Sequence, residues 1–196
     1  MNQTRLTLIQ RAQNPDDEVA WNEFVEVYKN YIYVIVRQMG VNDKDCEDIL
    51  QQILVKLWKR LPTFEYGVNK SKFRTWLGTI SHSTVVDFFR KQSSQNKRIE
   101  GAAKEQLDHL STIDKPEIEE MAEREWRVYI TNLAMANIEQ FFSGKAIEVF
   151  KLSIKGKSTQ EISEELEIKM DTVYILKNRV KKRLTEEIKQ LKVQFE

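Results

Sequence analysis

The stretch KSKFRTWLGTISHSTVVDFFRK, Lys70 to Lys91, sets four large aromatic residues among basic and small hydroxyl side chains. Aromatic rings stack on unpaired bases, cations neutralise phosphates, and small side chains let a strand come close. Placed on one helix, Phe73, Leu77, Ile80, Thr84 and Phe88 recur at helical spacing and, with Trp76, form a stripe facing a core. Roughly opposite lie Thr75, Thr79, His82, Ser83, Val86 and Arg90. Lys70, Lys72 and Arg74 gather where the preceding loop enters the helix. Two readings of that second face stand: a surface lying along a phosphate backbone, or the solvated back of an amphipathic helix. His82 is a single histidine on a polar face, and no Ser/Asp/His grouping can be argued for it.

A second stretch, KSTQEISEELEIKMDTVYILKNRVKKRL, Lys157 to Leu184, reads as two helices around a tight turn. Ser158 can cap the first, with Glu161 three residues on completing a capping box. Ile162 and Leu166 face inward and Ile168 fills the turn. Val173, Leu176, Val180 and Leu184 make the buried stripe of the second helix. Its outer side carries Thr172, Tyr174, Lys177, Asn178, Lys181 and Lys182, with Arg179 and Arg183 beside them. This is the pattern of a helix-turn-helix, whose second helix enters the major groove. Asn reads adenine, Lys reads guanine edges, and the other cations meet phosphates. The plain alternative is a helical hairpin with a charged back.

The elements that must hold these surfaces are nearly all helical. Strict alternation is missing, and Glu, Lys, Leu and Ala dominate. Breaks are expected at Asn14-Pro15, Gly40, Leu61-Pro62 to Gly67, Ser93-Ser94, Pro116, Gly144 and Gly156. Residues 16–39 supply an apolar stripe of Val19, Phe24, Val27, Tyr28, Tyr31, Ile35 and Met39. Asn42 or Asp43 caps a helix running to about Arg60, with an acidic first turn that suits the helix N-terminus. Leu50, Leu54, Leu57 and Leu61 face its core, while Asp48, Gln51, Gln52, Val55 and Lys59 lie on the other side.

Charge is uneven although the net is only +1 over 196 residues. Residues 1–98 carry 15 basic and 11 acidic side chains, 99–127 carry 4 and 9, and 128–196 carry 12 and 10. The middle segment has few large apolar residues before Met121 and reads as a flexible acidic linker with nascent helix near its end. The expected organisation is all-α: a first domain over 1–98, a linker over 99–127 and a second domain over 128–196. No apolar run approaches the roughly 20 residues of a membrane helix, and no secretory h-region is expected at the N-terminus. One cysteine, Cys46, excludes an intrachain disulfide framework, and with two histidines it makes a four-ligand zinc site implausible. Walker-type, GxGxxG and GxSxG patterns are missing. No cofactor, no metal and a cytoplasmic setting are expected.

With both halves in hand, the sequence resembles bacterial RNA polymerase sigma factors of the extracytoplasmic-function (ECF) group, from about Leu6 to Leu191. The resemblance is carried by DCEDILQQILVKLWKRLPTF, FRTWLGTISHSTVVDFFRK and STQEISEELEIKMDTVYILKNRVKKRL, in that order. It implies a non-catalytic specificity subunit, with a region 2 bundle followed by a region 4 helix-turn-helix. The implied partners are the RNA polymerase core, through its β′ clamp helices and β flap, promoter DNA, and an anti-sigma factor, with no membrane. Asp48, Gln51, Gln52 and Val55 fall on the family's β′-contact helix. Phe64, Lys70, Lys72, Arg74, Trp76, His82, Ser83 and Arg90 become candidates for the −10 strand, with residues 64–73 matching a loop that pockets a flipped base. Thr172, Tyr174, Lys177, Asn178, Arg179, Lys181 and Lys182 fall in the −35 recognition helix. Gln52 stands where many members have glutamate, and Ser83 where asparagine is frequent. Two other functions fit the same residues: a helix-turn-helix regulator acting on duplex DNA without polymerase, and a helical adaptor binding only protein.

Overall fold

Apolar residues three and four apart along most of the chain dictate helices, and helices are what forms. The computed structural model describes residues 7–65, 73–95 and 100–195. Its elements are α1 (Leu8–Ala12), α2 (Glu18–Gln38), α3 (Asp43–Arg60), a 3-10 turn (Leu61–Thr63), α4 (Phe73–Gln95), α5 (Glu100–Thr112), α6 (Lys115–Glu139), α7 (Ala146–Ile154), α8 (Thr159–Glu165) and α9 (Met170–Phe195). No strand occurs among the described residues, and no helix among them is long and apolar enough to cross a membrane.

The chain divides into two compact units: residues 1–127 with 195–196, and residues 128–194. In the first, the core is aromatic. Tyr28 of α2 stacks flat on Trp126 of α6, ring centroids 5.4 Å apart, and meets Phe73 of α4 edge-on at 5.2 Å. Phe24 closes on Tyr28 at 4.6 Å. Ile49, Ile53 and Leu57 of α3, with Leu61 of the 3-10 turn, fill the space, all buried. The expected stripe of α3 is present in Leu50, Leu57 and Leu61, with Leu54 half-buried. Asn42 takes the N-cap position, though its side chain makes no cap hydrogen bond. In α2, Val19, expected in the apolar stripe, is exposed instead. The turn after α3 is held by Gln13, whose Nε2 donates to the Leu61 and Phe64 carbonyls.

Residues 99–127 differ from the flexible linker read in the sequence. α5 lies against α4, with Ala103 and Leu110 buried. The first half of α6 buries Ile118, Ala122 and Trp126 in the first unit. Gln106 of α5 donates to the Met39 carbonyl at 2.9 Å, and Tyr31 donates to the Ala122 carbonyl at 2.6 Å. The many charges of the segment lie mainly on outward positions, so the apolar side is sparse in sequence yet continuous in space. α4 also runs through Ser93 and Ser94, where a break was expected. Their hydroxyls donate to the Arg90 and Lys91 carbonyls within the helix.

In the second unit, Val149, Ile162, Leu166 and Val173 form one buried cluster, joined by Leu152, Ile168 and Leu176. Gly156 follows the end of α7 at φ 89°, and Gly144 turns the chain just before α7 at φ 68°, both in the left-handed region in which glycine is unstrained.

Candidate nucleic-acid interface

The helix-turn-helix is built as its residues require. Ser158 Oγ accepts from the Glu161 amide at 3.2 Å, and the Glu161 carboxylate accepts from the Ser158 amide at 2.7 Å. Those bonds hold the Glu161 carboxyl below its ordinary range, the backbone amide first and the Ser158 side chain second. Ser163 Oγ donates to the Ile168 carbonyl at 2.6 Å and Lys145 donates to the Leu166 carbonyl, fastening the turn from both sides. Glu167 sits in that turn at φ 50°.

On α9, Val173, Val180 and Leu184 are buried. Asp171, Tyr174, Ile175, Asn178 and Lys182 share the exposed face, flanked by exposed Lys181 and Arg179. Thr172 and Lys177 are half-buried at its margin. Met170 and Ile175, not picked out in the sequence, are exposed apolar residues in the first two turns. The Arg179 guanidinium lies over the Phe142 ring at 5.6 Å and that of Arg183 over Phe141 at 4.8 Å. Both are cation–π contacts that steady cations of α9 against the turn after α6.

On α3, Asp48, Gln51, Gln52 and Val55 form one exposed stripe, with Val55 54% accessible. Trp58 continues it, 38% exposed and edge-on to Trp21 at 4.8 Å. Beside the stripe opens a cleft of about 430 Å³ lined by Asp45, Asp48, Gln52, Asp87, Phe88 and Lys91. Ile49 and Gln92 complete the lining, so three of its eight residues are carboxylates. Asp45 Oδ2 is buried with no hydrogen-bond partner among the described residues. Lys56, on α3, donates to Thr84 Oγ1 at 2.9 Å and stands 3.7 Å from Asp87, so it ties α3 to α4. That cross-link is not legible in the sequence, where Lys56 reads as an ordinary surface lysine.

The α4 candidates are brought together only in part. Lys70 and Lys72, with residues 66–72 generally, lie outside the described residues. Phe64 is buried against Trp76 at 4.7 Å and Phe73 at 5.6 Å. Trp76 is half-buried. Ser83 and Arg90 are exposed, the latter paired with Asp87 at 3.0 Å. Thr75, expected on the outer face, is buried instead, and Phe89 rather than Phe88 is the fully inward ring. Arg74 makes a two-pronged pair with Glu123, at 2.9 and 3.2 Å, and lies 5.5 Å over the Trp126 ring. His82 Nε2 is 2.9 Å from the Leu110 carbonyl. Between them Gly78 faces α6 closely: a Cβ there would stand 3.2 Å from both Ala122 Cβ and Ile118 Cγ2. Arg74, Gly78 and His82 are one helical stripe, and the chain from Leu110 to Glu123 covers it.

Two family profiles match the chain. Residues 24–95 match Sigma-70 region 2, spanning α2 to α4. Residues 140–190 match bacterial regulatory proteins of the luxR family, spanning α7 to most of α9. Among curated proteins, the chain is similar to the ECF RNA polymerase sigma factor SigW of Bacillus subtilis (strain 168), 32% identical over 76 residues, which are 39% of each chain. It is also similar to the ECF RNA polymerase sigma factor SigX of the same organism, 30% identical over 76 residues, 39% of this chain and 38% of the relative. The matched region thus spans about two fifths of the length of either relative. A sigma-70 region 2 match over α2 to α4, followed by a regulatory-protein match over the helix-turn-helix, makes this all-α chain similar over those residues to sigma factors of the ECF type.

Proposed function

We propose that the chain is a promoter-specificity subunit of bacterial RNA polymerase, working in the cytoplasm without catalysis of its own. Its first domain docks on the polymerase core and holds the opened −10 strand, and its second domain reads the −35 duplex. The observation that carries this reading is the pairing, in one chain, of a region 2 unit bearing an acidic-and-apolar stripe with a helix-turn-helix unit bearing a basic helix. Asp48, Gln51, Gln52, Val55 and Trp58 offer the stripe, and the carboxylate-lined cleft beside it suits cationic side chains of a partner helix. Trp76 and Ser83 on α4, with Lys70 and Lys72 before it, would meet the single strand, where a stacked base is worth about 1–3 kcal/mol. Two weak sites on one chain gain from effective concentration.

The luxR-family match over residues 140–190 favours a second reading, a regulator that binds duplex DNA alone. Two variants separate them. Asp48→Lys weakens association with core polymerase in a pull-down. Lys177→Ala combined with Asn178→Ala keeps that association and loses promoter choice in transcription assays. Equal loss in both assays for both variants would remove the division of labour, and tight duplex binding with no polymerase association would favour the regulator.

A further inference from the structure

We propose that Ile175, with Tyr174 beside it, reads thymine methyl groups in the upstream promoter element, a step that rests on the promoter role proposed above. Scattered exposed apolar side chains are ordinary on any protein. Here three of them crowd the first two turns of one helix: Met170, Tyr174 and Ile175 are 56%, 66% and 62% exposed. Of the other apolar residues of that stretch, Val173 is fully buried and Leu176 packs half-buried on the same core, so helix packing does not require the outward ones.

Place and charge name the occupant. The first turns of the second helix in a helix-turn-helix meet base edges in the major groove. Thymine presents a C5-methyl group there, which no other base carries, and apolar side chains are its partners. Ile175 lies near the middle of the exposed face, with Tyr174 and Asn178 on one side. Arg179, Lys181 and Lys182 stand a turn or more further along, where they suit phosphates. Asp171, on the same face one turn before Ile175, disfavours the phosphate backbone and can accept from a cytosine amino group. The leading turns are therefore suited to the groove floor and the following turns to its walls. A protein partner on the same apolar patch is the competing occupant.

The test uses the full chain bound to core polymerase. Upstream duplexes are selected from a random library, and each dT of the selected element is then replaced by dU, which removes only the methyl. The expected result is a loss of about three- to fivefold in affinity at one or two thymines, the worth of a buried methyl-sized group. Ile175→Ala lowers affinity for the dT duplex by a similar factor and no longer distinguishes dT from dU at one of those positions. Equal binding of dT and dU duplexes by the unaltered chain overturns the inference. So does an Ile175→Ala chain that keeps the full methyl preference, or one that loses polymerase association while keeping it, since the residue would then face protein. Failure to select any duplex would be a different failure, that of the promoter reading itself.

Discussion

Ser158 and Glu161 show how much one residue can be asked to do. Each satisfies an amide that the first turn of α8 leaves without a helical partner. Ser158→Ala is expected to cost about 1 kcal/mol, read as a lower thermal midpoint. The Glu161 carboxyl is held down in the folded chain, so its contribution is present above its ordinary value of 4.5 and is lost as pH falls through the folded-state value. Acid titration followed by helical circular dichroism should show the unaltered chain losing stability below that point. The loss should be smaller in Ser158→Ala, and an identical acid limb in both would mean that the box does not hold the carboxylate. Tyr31 behaves in the opposite sense: burial raises its phenol pKa, keeping it a donor to the Ala122 carbonyl. Burial likewise pushes the Cys46 thiol up, which leaves it an inert core residue.

At the level of elements, the helix-turn-helix was legible because its apolar residues are large and regularly spaced, and because Ser158 and Glu161 mark the start of α8 in the sequence itself. Segment 99–127 was not, because its inward residues are few and some are small. Ala103 and Leu110, then Ile118, Ala122 and Trp126, hide among acidic neighbours. The signal that could have revealed α6 is the recurrence of Ile118, Ala122, Trp126, Ile130, Ala134 and Ile138 at every fourth position. The outer face of α4 was misjudged for the same reason: once α5 and α6 are packed elements, Arg74, Gly78 and His82 gain internal partners. Strand capture along that stripe therefore requires the segment 110–123 to move. In a Cys46→Ala background, Gly78→Cys with Ala122→Cys can lock it: the Cβ positions stand 3.2 Å apart, so the helices need to separate by only a few tenths of an ångström to reach the roughly 3.5–4.5 Å that a disulfide spans. The oxidised chain should bind polymerase and fail to open a promoter, with reduction restoring opening. Equal opening by both forms would mean that the strand passes elsewhere.

Over the whole molecule, two helical units are written into one chain whose net charge is close to neutral. Local charge, not the total, sets what each can meet. α3 turns carboxylates and an apolar stripe outward, suited to a cationic protein helix. α9 turns an apolar tip and then a run of cations outward, suited to duplex DNA. Among the described residues no cluster of His, Cys, Asp and Glu could hold a metal ion. The most direct measurement is reconstitution of the purified chain with core RNA polymerase on genomic DNA, followed by mapping of transcript starts. The expected result is a stoichiometric complex that begins transcripts at a defined set of sites sharing an upstream and a downstream element, none of which core enzyme alone uses. A chain that fails to associate with core enzyme, or associates and adds no new start site, would contradict the proposed role.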